Sequence, residues 1–276
     1  MEPNGKVVVV TGGASGIGRA LCHAFADAGA QAVVVADIAG DGAEQVAVAI
    51  RDQGHQALAV RTDVGSEPDV KALVEQTEQA FGPVDVFCAN AGIGVGGGVE
   101  VPDSEWQRIW QINVMSHIYA ARAVLPSMLA RGEGYLVHTA SAAGLLSQLG
   151  SAPYTVTKHA VVALAEWLSI THGDAGIRVS CLCPQGVRTN MTAGVSGAGA
   201  AAALSPVSRN GMLEPEVVAA DVLAAMAEER FLVLPHPEVA TYEQRRASDR
   251  DRWLAGMRRA QSAMTAAMSG RGGRRG

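Results

Sequence analysis

Tyr154 and Lys158 stand four residues apart in a stretch that reads as helix, so their side chains share one face. A free tyrosine, with a pKa of about 10, is no base near neutrality. A neighbouring ammonium favours the phenolate, and a second cation in the same dry pocket adds to that. A downward shift of ~2–3 units needs about 3–4 kcal/mol of differential stabilisation, which two close cations supply. A phenol tuned in this way takes the proton of an alcohol or returns one to a carbonyl. Ser141 follows a strand-like run, where its hydroxyl would hold a substrate oxygen; a serine there also serves as an ordinary helix cap. Lys158 is one of only three lysines beside 19 arginines, and a guanidinium is neither tunable nor compact enough for the same place.

A second group points to a phosphate-bearing ligand. Thr11-Gly12-Gly13-Ala14-Ser15-Gly16-Ile17-Gly18 follows the first strand-like run and opens the first helical pattern. Glycines let a backbone approach a pyrophosphate, and the free N–H groups of a helix start favour anions. Asp37 closes the second strand-like run, where a carboxylate can bind the ribose hydroxyls of a dinucleotide and repel a 2′-phosphate. Neither Ser15 nor Ile38 offers a cation for such a phosphate, so the expected cofactor is NAD. The plainer alternative is an aspartate that caps the next helix.

Taken in order, these residues resemble the short-chain dehydrogenase/reductase family over about residues 5–235. The resemblance rests on the Gly12…Gly16-Ile17-Gly18 turn, Asp63-Val64, Asn90-Ala91-Gly92, Asn113, Ser141 and Tyr154-x-x-x-Lys158. It implies an NAD-dependent alcohol dehydrogenase or ketone reductase, with Asn113, Ser141, Tyr154 and Lys158 as the catalytic set. Asn113 would hold a backbone carbonyl and a water that link Lys158 to solvent, although it also suits an ordinary buried amide. Asp63 would reach the adenine amino group and Val64 its ring, Asn90-Ala91-Gly92 would pass the adenine ribose, and Lys158 would also bind the nicotinamide ribose. Pro184, Gly186, Val187 and Thr189 would wrap the carboxamide. Two places depart from the family pattern: Gln185 stands where a Gly usually follows the Pro, and Pro235-His236-Pro237 replaces a Val-Asp-Gly-Gly ending. The positions expected to line the substrate pocket are Gly94, Ser141, Ala143, Leu145, Gln148, Leu149, Gln185 and Met191. They suit a small or medium hydrophobic secondary alcohol or its ketone. Two other readings stand beside this one: an NAD-binding redox sensor without turnover, and an epimerase or dehydratase on the same fold.

The elements that must position these groups read clearly. Short apolar runs at Val7–Thr11, Ala32–Asp37, Ala57–Thr62, Val84–Ala89, Gly134–Thr139, Val179–Cys183 and Phe231–Leu234 alternate with helical patterns near 17–29, 41–54, 67–81, 104–131, 152–173 and 215–229. Asp69 and Asp103 mark helix starts, and Gly29, Gly54, Gly82 and Gly132 mark helix ends. Strands that are apolar on both faces, each followed by a helix, imply a doubly wound, Rossmann-type α/β domain with about seven parallel strands. That domain is expected over 1–237. An Arg-rich helical extension follows over 238–276, with disorder from Gly270 and a loop or short helix over the site at 192–211.

Composition narrows the partners. The chain is 48% hydrophobic and 18% charged, which excludes general disorder, and no apolar run is long enough to span a membrane. Residues 238–276 carry nine Arg against Glu238, Glu243, Asp249 and Asp251, a local +5 that leaves the remainder at −10. Such an acidic body has no electrostatic reason to bind nucleic acid. Cys22, Cys88, Cys181 and Cys183 lie in apolar patterns, as reduced core thiols of a cytoplasmic protein do. The seven histidines show no metal-ligand spacing, and His159 is expected to face away from Tyr154. The extension is expected to pack on its own body or a neighbouring subunit, with a lid over the site and a membrane contact as alternatives. The long helices at 104–131 and 152–173 are expected to pair subunits into a homodimer or homotetramer.

Overall fold

The computed structural model describes residues 1–193 and 211–272. Its centre is a seven-stranded, wholly parallel sheet of order β3-β2-β1-β4-β5-β6-β7. The strands are β1 (Val7–Thr11), β2 (Ala32–Asp37), β3 (Ala57–Arg61), β4 (Val86–Ala89), β5 (Gly134–Thr139), β6 (Ile177–Leu182) and β7 (Leu232–Val233). Helices α1 (Gly16–Asp27), α2 (Gly40–Asp52), α3 (Glu67–Phe81), α4 (Asp103–Trp110), α5 (Ser116–Arg131) and α6 (Ala152–His172) connect them. A short α7 (Asn190–Ala193), then α8 (Pro215–Ala227), α9 (Glu238–Ser248) and α10 (Arg250–Gly272) complete the chain. This is the doubly wound, Rossmann-type α/β fold that the strand pattern predicts.

Every residue of β1 and β5 is buried, which is why both strands read as unbroken apolar runs. Their side chains alternate between two cores. Val8, Val10, Val33 and Val35 face α1, α2 and α8, while Val9, Val34, Phe87 and Leu136 face α3, α5 and α6. The strand order reverses between β1 and β4, and a crevice for ligands opens at such a switch point. The four cysteines are unbridged and buried.

Helix boundaries refine the sequence reading. Gly29, Gly54, Gly82 and Gly132 all have positive φ at or just past helix ends, as expected. Asp69, expected to mark a helix start, lies in the first turn of α3; Ser66 is the cap, its Oγ accepting from the Asp69 N–H at 3.4 Å. The expected helix over 104–131 is broken by one turn of π-helix, Gln111–Met115. At the other end, α10 continues to Gly272, past Gly270 where the sequence predicts loss of order. Most of the expected 192–211 loop, and residues 273–276, lie outside the described residues. Among the described residues no helix is long and apolar enough to cross a membrane.

Candidate active site

The carboxyl ends of β1, β4 and β5 are tied together before any ligand is considered. Thr11 Oγ1 accepts from the Asn90 and Ala91 N–H groups at 2.9 and 3.2 Å. Asn90 Nδ2 donates to the Thr11 carbonyl at 3.0 Å, and its Oδ1 accepts from Thr139 Oγ1 at 3.1 Å. The Asn90 side chain therefore staples three strands, a role that the sequence reading did not assign to it, to Thr11 or to Thr139.

The glycine turn fits a pyrophosphate on direct structural grounds. Ser15 caps α1 without a side-chain hydrogen bond, and no acidic residue occupies the first turn, so its N–H groups remain available to an anion. A Cβ at Gly18 would collide with the Gly12 carbonyl, and one at Gly16 would lie 2.9 Å from Thr189 Cγ2. Only a bare backbone lets this turn approach β4 and the loop after β6 so closely. Asp37 leaves β2 with Oδ2 accepting from the Ala14 N–H at 3.1 Å and Oδ1 from the Ala39 N–H at 2.9 Å. It braces the turn, whereas the cap of α2 is Ala39. Ile38 is 60% exposed beside it. The sequence reading missed Arg61, which pairs in register with Asp37 on β3 and rests its stem against Gly40. Asp63 is exposed, its Oδ1 taken by the Gly65 N–H at 2.9 Å, and Val64 is buried behind it.

Four side chains converge on the far side of the crevice. Asn113 lies in the π turn, fully buried; its Oδ1 accepts from the Ile93 N–H at 2.8 Å and its Nδ2 donates to the Ile93 carbonyl at 2.9 Å. A π turn inserts one residue and re-aims the side chains beyond it, and such turns recur at functional sites. A Cβ at Gly92 would lie 3.3 Å from Asn113 Oδ1 and 3.5 Å from Lys158 Nζ, so the 90–92 turn closes against both. Lys158 Nζ donates to the Thr139 carbonyl at 2.9 Å and lies 5.7 Å from the centre of the Tyr154 ring. Ser141 is buried as the cap of a 3₁₀ turn, Ala142–Gly144; its Oγ accepts from the Ala143 N–H at 3.1 Å and donates to the Pro184 carbonyl at 3.4 Å. Ser141 is thus a cap, as the plainer reading expects, and it also bonds Tyr154.

The sequence reading expects Lys158 and a bound, positive nicotinamide together to lower the Tyr154 pKa, and the chain's own groups set the value from which that shift starts. Burial pushes the Tyr154 phenol above its ordinary value, opposed by a hydrogen bond with Ser141. Burial also lowers Lys158 to about 8. Both shifts have the same first cause, the cost of holding a charge in this buried pocket.

The substrate-side positions are spread around these groups. Ala143 and Leu145 are buried, Leu145 within the core against α5 and α6. Gln148 donates its N–H to Thr155 Oγ1 at 3.1 Å, fixing the loop against the first turn of α6. Leu149, Leu254, Met257, Arg258 and Gln261 line a groove of about 290 Å³ between this loop and α10. A Cβ at Gly94 would lie 4.0 Å from Met191 Cγ, which brings those two together, and Met191 is 49% exposed. The two departures from the family pattern meet: the Gln185 N–H donates to His236 Nδ1 at 3.2 Å. The loop that holds Gly186 and Val187 is further strapped by the Leu213 N–H to the Gly186 carbonyl at 3.0 Å. His159 turns back to its own helix, Nδ1 lying 2.9 Å from the Thr155 carbonyl. Among the described residues no group of three His, Cys, Asp or Glu could hold a metal ion.

Comparison with known proteins places this geometry. The family model for short chain dehydrogenase matches residues 6–198. The chain is 38% identical to cis-4-hydroxycyclohexanecarboxylate dehydrogenase of Sinomonas cyclohexanicum, over 81% of this chain and 90% of that protein. It is 37% identical to 1-deoxy-11-beta-hydroxypentalenate dehydrogenase of Streptomyces exfoliatus, over 84% of each. A short chain dehydrogenase/reductase from Burkholderia phymatum in complex with NAD superposes with a TM-score of 0.81 at 33% identity, over 91% of this chain and 96% of that one. Sequence motifs, sheet order and relatives agree that this chain is an oxidoreductase and belongs to the short-chain dehydrogenase/reductase family.

Proposed function

We propose that the protein is an NAD-dependent dehydrogenase that interconverts a hydrophobic, alicyclic secondary alcohol and its ketone, with Tyr154 as the acid/base. The observation that carries this reading is the convergence of Asn113, Ser141, Tyr154 and Lys158 at the ends of β4 and β5, on the edge of a glycine turn built for a pyrophosphate. The nicotinamide supplies the hydride acceptor or donor when bound. Gly12 to Gly18, Asp37, Asp63, Val64 and Asn90 to Gly92 would hold the pyrophosphate and adenosine half of the dinucleotide, with Lys158 and the 184–189 loop around the nicotinamide end.

The chain's own part is proton handling and orientation. Ser141 holds the substrate oxygen against Tyr154, whose Oη takes the alcohol proton during oxidation and returns it during reduction. A phenol raised by burial needs a cation to ionise, and Lys158 is the cation this pocket provides. Its Nζ is held at the Thr139 carbonyl, on the side where Asn113 secures Ile93. The alicyclic substrate class draws on the relatives, one named for a hydroxycyclohexane acid and the other for a hydroxypentalenate.

The same reading makes α10 a wall of the substrate entrance. Leu149 follows directly on the residue that is tied to Thr155. Leu254 and Met257 face Leu149 across the groove. Leu254→Trp would fill much of that space. The expected result is a KM about tenfold higher for a fused-ring secondary alcohol, with the KM for a four-carbon alcohol unchanged within about twofold. Steady-state kinetics on the two substrates check this. Subunit pairing through α6 is part of the proposal, because Trp167 and Ile170 stand 56% and 83% exposed on its surface.

The test of the function is cofactor-reduction absorbance with NAD or NADP against a panel of cyclohexanols and fused-ring secondary alcohols at mildly alkaline pH. Turnover with NAD is the expected result. Tight NAD binding without turnover on any member would replace the dehydrogenase with a redox-sensing binder.

A further inference from the structure

Behind the proton path lies a pair of histidines that the mechanism above does not use. His117 of α5 and His138 of β5 are 0% and 1% exposed, and their Nδ1 atoms are 2.9 Å apart. Neither Nε2 has a hydrogen-bond partner among the described residues. A contact between two Nδ1 atoms is a hydrogen bond only if one of them carries a proton and the other presents its lone pair. The accepting ring is therefore neutral, with its own proton on Nε2. The bond is broken only when both Nδ1 atoms carry a proton.

The pair's neighbours give it meaning. His117 follows Asn113 by about one helical turn and is the second residue past the π turn, whose inserted residue rotates α5 by about 100° relative to α4. His138 precedes Thr139, whose carbonyl holds Lys158 Nζ and whose hydroxyl holds Asn90. We propose that the His117–His138 bond is a positioning clasp for the proton path: it holds α5 against β5 beside the Lys158 acceptor, and it holds while one of the two Nδ1 atoms stays unprotonated.

The surroundings keep it neutral at ordinary pH. On the same side of the sheet lie Lys158 and Glu166 from α6 and the Cys181 and Cys183 thiols from β6. Burial depresses His138 to about 4, and burial with the His138 and Lys158 charges holds His117 well below its ordinary value. The unfolded chain takes these protons near pH 6.5, before the folded chain does. Stability present above about pH 6.5 is consequently lost as pH falls toward about 4.

The clasp rests on Tyr154 and Lys158 forming the proton path, and its test reads them without a substrate. The Tyr154 phenolate is titrated by its ultraviolet band in the NAD complex, as the difference between each protein and the same protein carrying Tyr154→Phe. His138→Leu, which removes the bond but keeps apolar bulk, should raise the Tyr154 midpoint by about one unit, because a displaced Thr139 no longer fixes Lys158. His138→Asn keeps a polar atom near the Nδ1 position and should leave the midpoint within about 0.3 unit. NAD affinity should stay within about threefold in both. An unmoved midpoint in the Leu variant overturns the proposal, and so does an equal shift in the Asn variant. If the Leu variant does not fold, the wild-type imidazole nitrogen resonances decide: at pH 8 one ring should carry its proton on Nδ1 and the other on Nε2, and the same tautomer in both rings would overturn the clasp. Failure of every alcohol in the panel would remove the dehydrogenase reading and leave these titrations standing.

Discussion

Tyr154→Phe is expected to lower kcat about a thousandfold while NAD affinity changes less than about threefold. The asymmetry comes from the single group that the substitution removes. The Phe ring retains the packing of Tyr154 near Lys158, 5.7 Å from Nζ, and Lys158 retains its bond to the Thr139 carbonyl. Ser141 keeps both of its backbone partners, so the 3₁₀ turn after β5 stays in place. The turn that would hold the pyrophosphate is built on β1 and α1, and is untouched. What disappears is the one hydroxyl able to exchange a proton with the substrate oxygen, and a positioned acid/base is worth ~10²–10⁴-fold. Steady-state rates and quenching of intrinsic fluorescence by NAD measure the two quantities separately. Turnover within about tenfold of wild type would move the acid/base elsewhere. Loss of binding alongside turnover would make Tyr154 a structural residue.

The sheet was legible because parallel strands covered on both faces leave an unambiguous trace: Val7–Thr11 and Ala32–Asp37 are apolar runs bounded by Gly turns. The glycine turn was legible for a similar reason, since its chemistry is local. Features that depend on distant partners were not. The π turn at Gln111–Met115 leaves no mark in a 3.6-residue periodicity, because one inserted residue merely shifts the phase between two short helical patterns. His138 follows Leu136 toward α5 and α6 by strand alternation, which is the one signal that could have exposed a buried histidine. Nothing local links it to His117. The Thr11–Asn90–Thr139 staple hides in residues that suit any strand end. Spacing puts Tyr154 and Lys158 on one face, but it carries no measure of the burial that raises the Tyr154 phenol. Gln185 and His236 each looked like an isolated oddity until the hydrogen bond between them appeared.

Asp37→Ala is expected to swing the preference between NAD and NADP by about a thousandfold toward NADP. Asp37 already accepts from the Ala14 and Ala39 N–H groups, yet a carboxylate offers about four lone-pair sites, so two remain for ribose hydroxyls. Charge-assisted bonds of this kind contribute about 1.5–3 kcal/mol to NAD binding. The same carboxylate repels a 2′-phosphate; at about 5 Å and an effective dielectric near 20, each pair of unit charges costs about 3 kcal/mol before salt screening. Removing both effects and allowing for screening leaves about 4 kcal/mol, or three powers of ten in the ratio. Arg61 makes the change productive, because it sits in register beside Asp37 with its stem already packed on Gly40. Its guanidinium can then turn to the phosphate, for which its geometry suits it. The measurement is kcat/KM for both cofactors, with dissociation constants alongside to separate binding from turnover. An Arg61→Ala, Asp37→Ala double variant should lose most of the NADP gain, which isolates the contribution of Arg61. An unchanged ratio in the single variant would reduce Asp37 to a brace for the glycine turn, and cofactor choice would then lie with other residues of this chain.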